Sequence, residues 1–168
     1  MLKKFLSARR RCSGKSLLAI AISARVEKHR WPLEKFAVLI EQVLAAGQFD
    51  VMILWAPGKR DNPTFPGDDE AAAILAGQFG EQILAYPAKQ LKETIVALSA
   101  ADMVVTLDTG SLHMSAALAK PTVALMRASN VPLWHPWQVP QALVTTDGHV
   151  SEIEVSDVLA AINSLAAR

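Results

Sequence analysis

Short apolar runs at 17–23, 51–56, 82–86, 103–107 and 122–126, with a weaker one at 142–145, alternate with segments of helical spacing. The clearest helix is 32–46. Pro32 sits in its first turn, Leu33, Phe36, Ala37, Ile40, Val43 and Leu44 form one apolar face, and Gly47 stops it. A second segment, 68–79, opens on acids that suit a helix N-terminus and ends at Gly80. Segments 91–100 and 111–119 are shorter, and 151–167 reads as a closing amphipathic helix. Strands that are apolar throughout need cover on both faces, so this order predicts an α/β fold: three layers around a mostly parallel sheet. Such sheets bind ligands beyond the carboxyl ends of their strands. That directs attention to three polar loops, 23–28, 57–69 and 108–110.

The most informative loop lies inside 104–119, where an apolar run breaks at Asp108-Thr109-Gly110 and resumes with the Ala, Leu and Met content of a helix. A strand, tight turn and helix in that order set a carboxylate, a hydroxyl and a glycine beside the unpaired N–H groups of a new helix, a ready phosphate site. Asp-Thr-Gly-Ser after apolar residues also resembles the active-site loop of aspartic proteases. Those enzymes need two such carboxylates on nearly all-β subunits, and the helical pattern after Gly110 argues against that reading. Gly14-Lys15-Ser16 imitates the tail of a phosphate-binding P-loop. The glycine required five residues earlier is Arg9, and no strand precedes the motif.

With 168 residues, one domain with a substantial core is the simplest organisation. No apolar run approaches the roughly 18 residues that span a bilayer. The segment Leu17 to Ile22 followed by Ser23-Ala24 is too short to be the core of a signal peptide. Cys12 is the only cysteine, which excludes an internal disulfide and a cysteine-rich metal site and fits a reducing cytoplasm. The net charge of +1 hides an uneven distribution. Lys3, Lys4, Arg9, Arg10, Arg11 and Lys15 lie in the first fifteen residues without an acid. Residues 1–16 therefore read as a basic linker or a patch facing anionic lipid at the membrane periphery. A nucleic-acid arm fits less well, since only Phe5 is available for stacking and no recognition motif follows.

Several residues carry both a functional and a packing reading. Arg25 and Lys28 follow the first strand and could meet an anion held at the Gly110 turn, or form an ordinary solvated loop. Asp68, Asp69 and Glu70 could favour the helix dipole or accept hydrogen bonds from ribose. His113 lies in the first turn of its helix, where it could donate to phosphate or fill space. Trp134-His135-Pro136-Trp137 could wall a sugar or base pocket, or pack.

Taken together, Lys28-His29-Arg30-Trp31-Pro32 with Glu34-Lys35-Phe36, Ala101-Asp102, Asp108-Thr109-Gly110-Ser111-Leu112-His113 with Ala116-Ala117-Leu118, and Lys120-Pro121-Thr122-Val123-Ala124-Leu125 resemble the C-terminal half of glycosyltransferase family 9. These are the ADP-heptose:lipopolysaccharide heptosyltransferases, and the resemblance runs over about residues 17–165. It implies a Rossmann-like domain, 17–168, forming the C-terminal half of a GT-B fold and holding a sugar nucleotide, ADP-heptose, without an obligatory metal or other cofactor. Carried over residue by residue, Asp108 takes sugar hydroxyls, Thr109 and Gly110 take the diphosphate, and His113 stands beside them. Ser23 matches a small hydroxyl residue of the first loop, and Lys28 matches a phosphate-binding lysine. Ala24 stands where a second hydroxyl residue is common in the family. The ribose acid falls within 68–70, with Asp68 the choice, although the apparent insertion 59–67 disturbs the register.

The resemblance also implies an N-terminal domain that binds a lipid-linked saccharide acceptor and supplies the carboxylate base for inverting transfer. Nothing in residues 1–16 replaces it, so the sequence reads as an excised donor domain or a short relative, without transfer activity of its own. Two other readings stay open: a non-catalytic nucleotide-binding or interaction module, and the donor domain of a different GT-B enzyme that uses a UDP- or GDP-sugar. Oligomeric state is not legible.

Overall fold

A computed structural model describes residues 14–167. The expected basic linker, 1–16, therefore lies mostly outside the described residues. Ser16 already begins the first strand, so Gly14-Lys15 precedes a strand where a P-loop would follow one.

Among the described residues six strands form one sheet: β1 (Ser16–Ala21), β2 (Phe49–Trp55), β3 (Ile83–Pro87), β4 (Met103–Leu107), β5 (Thr122–Arg127) and β6 (Gln141–Thr146). All neighbours are parallel, in the order β3-β2-β1-β4-β5-β6. The helices are α1 (Leu33–Ala46), α2 (Asp69–Phe79), α3 (Leu91–Ala100), α4 (Gly110–Ala117), α5 (Val131–Trp134) and α6 (Val155–Ala166). The expected three-layer α/β fold is present.

Alternation along the strands builds the layers. On β1, Leu18 and Ile20 pack with Phe36, Leu39, Ile40, Leu75, Val158 and Ile162, from α1, α2 and α6. Leu17, Ala19 and Ala21 face the other way, toward Ala97 and Leu98 of α3, with Met114 and Leu118 against the same cluster. The small β1 residues on that face let α3 and α4 approach the sheet closely. Both faces are apolar, which explains why the strands read as continuous hydrophobic runs. Two tethers fix the far end of the sheet. Asp102 accepts from the Leu17 backbone N–H at 2.8 Å, and Lys120 donates to the Ser99 and Ala101 carbonyls at 2.8 and 2.7 Å.

Two elements differ from expectation. The single helix expected over 151–167 is a 3-10 turn, Val150–Glu152, followed by α6. The break is at Ile153, whose carbonyl accepts from Trp31 Nε1 at 3.0 Å and Lys35 Nζ at 2.8 Å. The stretch around Trp134 includes the one-turn helix α5, too short to carry a periodic signal. No helix among the described residues is long and apolar enough to cross a membrane.

Candidate functional site

Strand order reverses between β1 and β4: the chain winds outward through β2 and β3, then returns to the other side of β1. Loops leaving the two central strands diverge at such a point and leave a crevice at the carboxyl ends. Ala21 is level with Thr106 in the pairing of β1 and β4, so Ser23 and Asp108 leave the sheet side by side.

An open cleft of about 290 Å³ occupies this position. One wall is Ser23, Ala24 and Arg25; the opposite wall is Thr109, Gly110, Ser111 and Met114. Trp55 at the end of β2, with Ala56, Pro57, Phe65 and Pro66 of the loop that follows, closes one end. The Thr109-Gly110 wall is the N-terminus of α4, and the Thr109 side chain makes no capping hydrogen bond to it. The first N–H groups of the helix are thus open to a ligand, and the helix dipole favours an anion there. The space beside Gly110 is open, since a Cβ at this position would meet only Met114 Cε, at 3.7 Å. Ser23 Oγ accepts from the Ala56 N–H at 2.9 Å, which joins the loops after β1 and β2 and leaves its own proton to donate. The Asp-Thr-Gly turn therefore sits in a parallel sheet at a helix start, unlike the all-β setting a protease requires.

Asp108 is the hub of a group that sequence reasoning missed. Its side chain is only 7% exposed, Asn130 Nδ2 donates to Oδ2, and His29 Nδ1 lies 3.9 Å from the same oxygen. The His29 and Asn130 side chains also approach each other, at 3.5 Å. These residues come from the loops after β1, β4 and β5. His29 stood within the quoted Lys28-to-Pro32 segment but carried no spacing signal, and Asn130 carried none.

Lys28 is exposed on the 3-10 turn Glu27–His29 and does not line the cleft. His113 is also outside it: its ring meets Trp134 edge-on, with centroids 5.8 Å apart, over a second hollow shared with Ala117 and Trp137. Asp68 departs most from its expected role. Arg30 Nη1 donates to its Oδ1 at 2.6 Å in a pair whose side chains are 9% and 3% exposed, while Oδ2 is buried without a partner among the described residues. Asp68 does not line this cleft; with Gly67, Glu70 and Ala71 it lines a separate hollow beside Arg60. Asp69 is engaged as well, accepting from Trp55 Nε1 at 2.8 Å and the Gly58 N–H at 2.9 Å. Glu70 is exposed. Among the described residues no three His, Cys, Asp or Glu side chains converge as a metal site would require.

A doubly wound parallel sheet, with an uncapped helix N-terminus at its switch point, defines a Rossmann-like domain of the kind that makes up half of a GT-B glycosyltransferase. The family model for glycosyltransferase family 9 (heptosyltransferase) matches residues 2–159, and the chain belongs to that family. Solved structures with the same fold include a family 9 glycosyl transferase from Veillonella parvula DSM 2008, with TM-score 0.82 and 21% identity over 98% of this chain and 50% of that one. Two from E. coli are heptosyltransferase WaaC with ADP (TM-score 0.76, 21% identity, 91% of this chain, 45% of that one) and ADP-heptose lps heptosyltransferase II (0.76, 20%, 96% and 51%). The chain spans about half the length of these structures. Comparison with curated protein sequences gives no match.

Proposed function

We propose that the cleft binds a sugar nucleotide, ADP-heptose, and that this domain serves as the donor half of an inverting lipopolysaccharide-core heptosyltransferase. The observation that carries the reading is the uncapped N-terminus of α4 opening through Thr109 and Gly110 into the cleft between the β1 and β4 loops. A diphosphate there accepts hydrogen bonds from backbone N–H groups and the Thr109 and Ser23 hydroxyls, while Arg25 contributes positive charge from the facing wall. Lys28 serves as a second cation for the diphosphate, reaching it from the exposed 3-10 turn. Asp108, oriented by Asn130 and His29, takes hydroxyls of the sugar beyond the diphosphate, and His113 stands beside them in the first turn of the same helix.

In the complete enzyme a hydroxyl of the lipid-linked saccharide acceptor attacks the anomeric carbon from the side opposite ADP. The carbon–oxygen bond to the diphosphate breaks as the new glycosidic bond forms, inverting the centre. Negative charge gathering on the departing diphosphate meets the α4 N-terminus and Lys28, so this step requires no metal. The acceptor proton passes to a carboxylate of the acceptor-binding half.

The exposed Leu133, Trp134 and Trp137, at 76%, 51% and 72%, favour a second reading in which the domain is an interaction module that does not bind nucleotide. Titration of the chain with ADP, UDP and GDP, read by melting temperature, separates these readings. A ligand present at 100 times its dissociation constant adds about 2.7 kcal/mol to the folded state. Selective stabilisation by ADP is expected. Preference for UDP or GDP would transfer the domain to another GT-B donor class, and no response to any of the three would favour the interaction module.

A further inference from the structure

Phe65 stands out because it is a large apolar side chain, 74% exposed, on a loop that is otherwise firmly built. The connection from β2 to α2 runs over residues 56–68, well beyond the two to six residues usual between a strand and a helix of this fold. Its neck is pinned by backbone bonds from Asp68 to Ala56 at 3.0 Å, Asp69 to Gly58 at 3.2 Å and Gly67 to Lys59 at 3.0 Å. Gly58 and Gly67 approach so closely that a Cβ on Gly67 would overlap the Gly58 backbone. Arg60 donates to both carboxylate oxygens of Glu27, at 3.0 and 2.9 Å, tying the loop to the segment after β1. Asn62 Oδ1 accepts from the Thr64 and Phe65 N–H groups, both at 3.0 Å, which sets the turn that presents Phe65. Phe65 and Pro66 line the same cleft as Thr109, Gly110 and Ser111.

The cleft thus has one end suited to an anion and one that offers an uncovered aromatic ring on a pre-organised loop. A nucleotide carries that pair of features, since its phosphates and its flat base lie at opposite ends of a ribose. We infer that Phe65 is the stacking residue for the nucleobase of a nucleotide whose phosphates lie at the N-terminus of α4. This deepens the proposed donor-binding reading and rests on it. Stacking suits an aromatic ring held at the mouth of a cleft, because it needs only the face of the base and tolerates variation in its edge.

The test compares binding of ADP and of inorganic pyrophosphate, which keeps the diphosphate and lacks the nucleoside. Calorimetry is run on the wild-type chain and on Phe65→Ala and Phe65→Tyr. Because the side chain is mostly exposed, both variants are expected to melt at the wild-type temperature. Phe65→Ala is expected to weaken ADP binding about tenfold to a hundredfold, leave pyrophosphate binding unchanged, and regain most of the ADP affinity as Phe65→Tyr. Unchanged ADP affinity in Phe65→Ala would overturn the inference, as would an equal loss of ADP and pyrophosphate, which would mean that the loop rather than the ring matters. Failure of the wild-type chain to bind any nucleotide would instead remove the donor-binding reading, and this inference with it.

Discussion

Lys28, His29, Arg30, Trp31 and Pro32 are consecutive, yet each answers a different demand. Lys28 is exposed, His29 approaches Asp108, and Arg30 is buried against Asp68. Trp31 packs edge-on against Phe36 with centroids 4.9 Å apart, and Pro32 is the N-cap of α1. Two substitutions separate ligand contacts from folding at this scale. Lys28→Ala removes an exposed cation, so it leaves the unliganded melting temperature unchanged and lowers ADP affinity by about 1.5 kcal/mol, roughly tenfold, in a calorimetric titration. Equal affinity would remove Lys28 from the site. Gly110→Val adds bulk where the free protein has room but a bound diphosphate would lie. It is expected to preserve the circular dichroism spectrum and abolish ADP binding, and a variant that still binds would place the phosphates elsewhere.

At the level of elements, the Arg30–Asp68 pair locks the start of α2 to the segment after β1. Removing one partner of a buried pair leaves the other charge uncompensated, so Asp68→Ala is expected to destabilise the domain by about 3 kcal/mol in urea titration, with part recovered by the double variant Arg30→Met/Asp68→Leu. A loss below about 1 kcal/mol, the level of surface pairs, would show that water reaches the site. The turn before α6 has its own pH signature. Glu152 accepts from the His149 N–H and the Thr146 hydroxyl, both at 3.0 Å, which lowers its pKa below the ordinary carboxylate value. A carboxylate with a lowered folded pKa stabilises above its unfolded value and loses that contribution as pH falls through the folded one. The melting-temperature gap between wild type and Glu152→Gln should therefore be present at neutral pH and close on acidification; a gap that widens would reverse the assignment. The same elements show what was legible in the sequence. The strands were readable within a residue or two because burial on both faces leaves a continuous apolar run, and Gly47 marked the end of α1 through its left-handed backbone, φ 71°. The break at Ile153 was not, because it depends on a carbonyl claimed by Trp31 and Lys35, more than a hundred residues away.

On the scale of the whole molecule, the turn at 108–110 was legible as the start of a helix after a strand, since its residue types dictate local geometry. The partners of Asp108 and Asp68 were not, because they depend on which loops the strand order sets side by side: Asn130 and His29 meet across 101 residues and Arg30 and Asp68 across 38. That order also bears on chemistry. Sugar transfer needs a group to accept the acceptor's proton, yet the described residues that line the cleft include no carboxylate, and Asp108 is held by Asn130 with only 7% of its side chain exposed. Binding and turnover should therefore come apart in this chain. Incubated with ADP-heptose and a lipopolysaccharide-core acceptor, it is expected to retain the sugar nucleotide in equilibrium dialysis while releasing no ADP above the uncatalysed rate. ADP release that rises in proportion to the chain and depends on the acceptor would mean that this half carries a base of its own. Asp108→Asn would then locate it: loss of release with nucleotide binding intact would give that role to Asp108, whereas retained release would direct the search to His29 or His113.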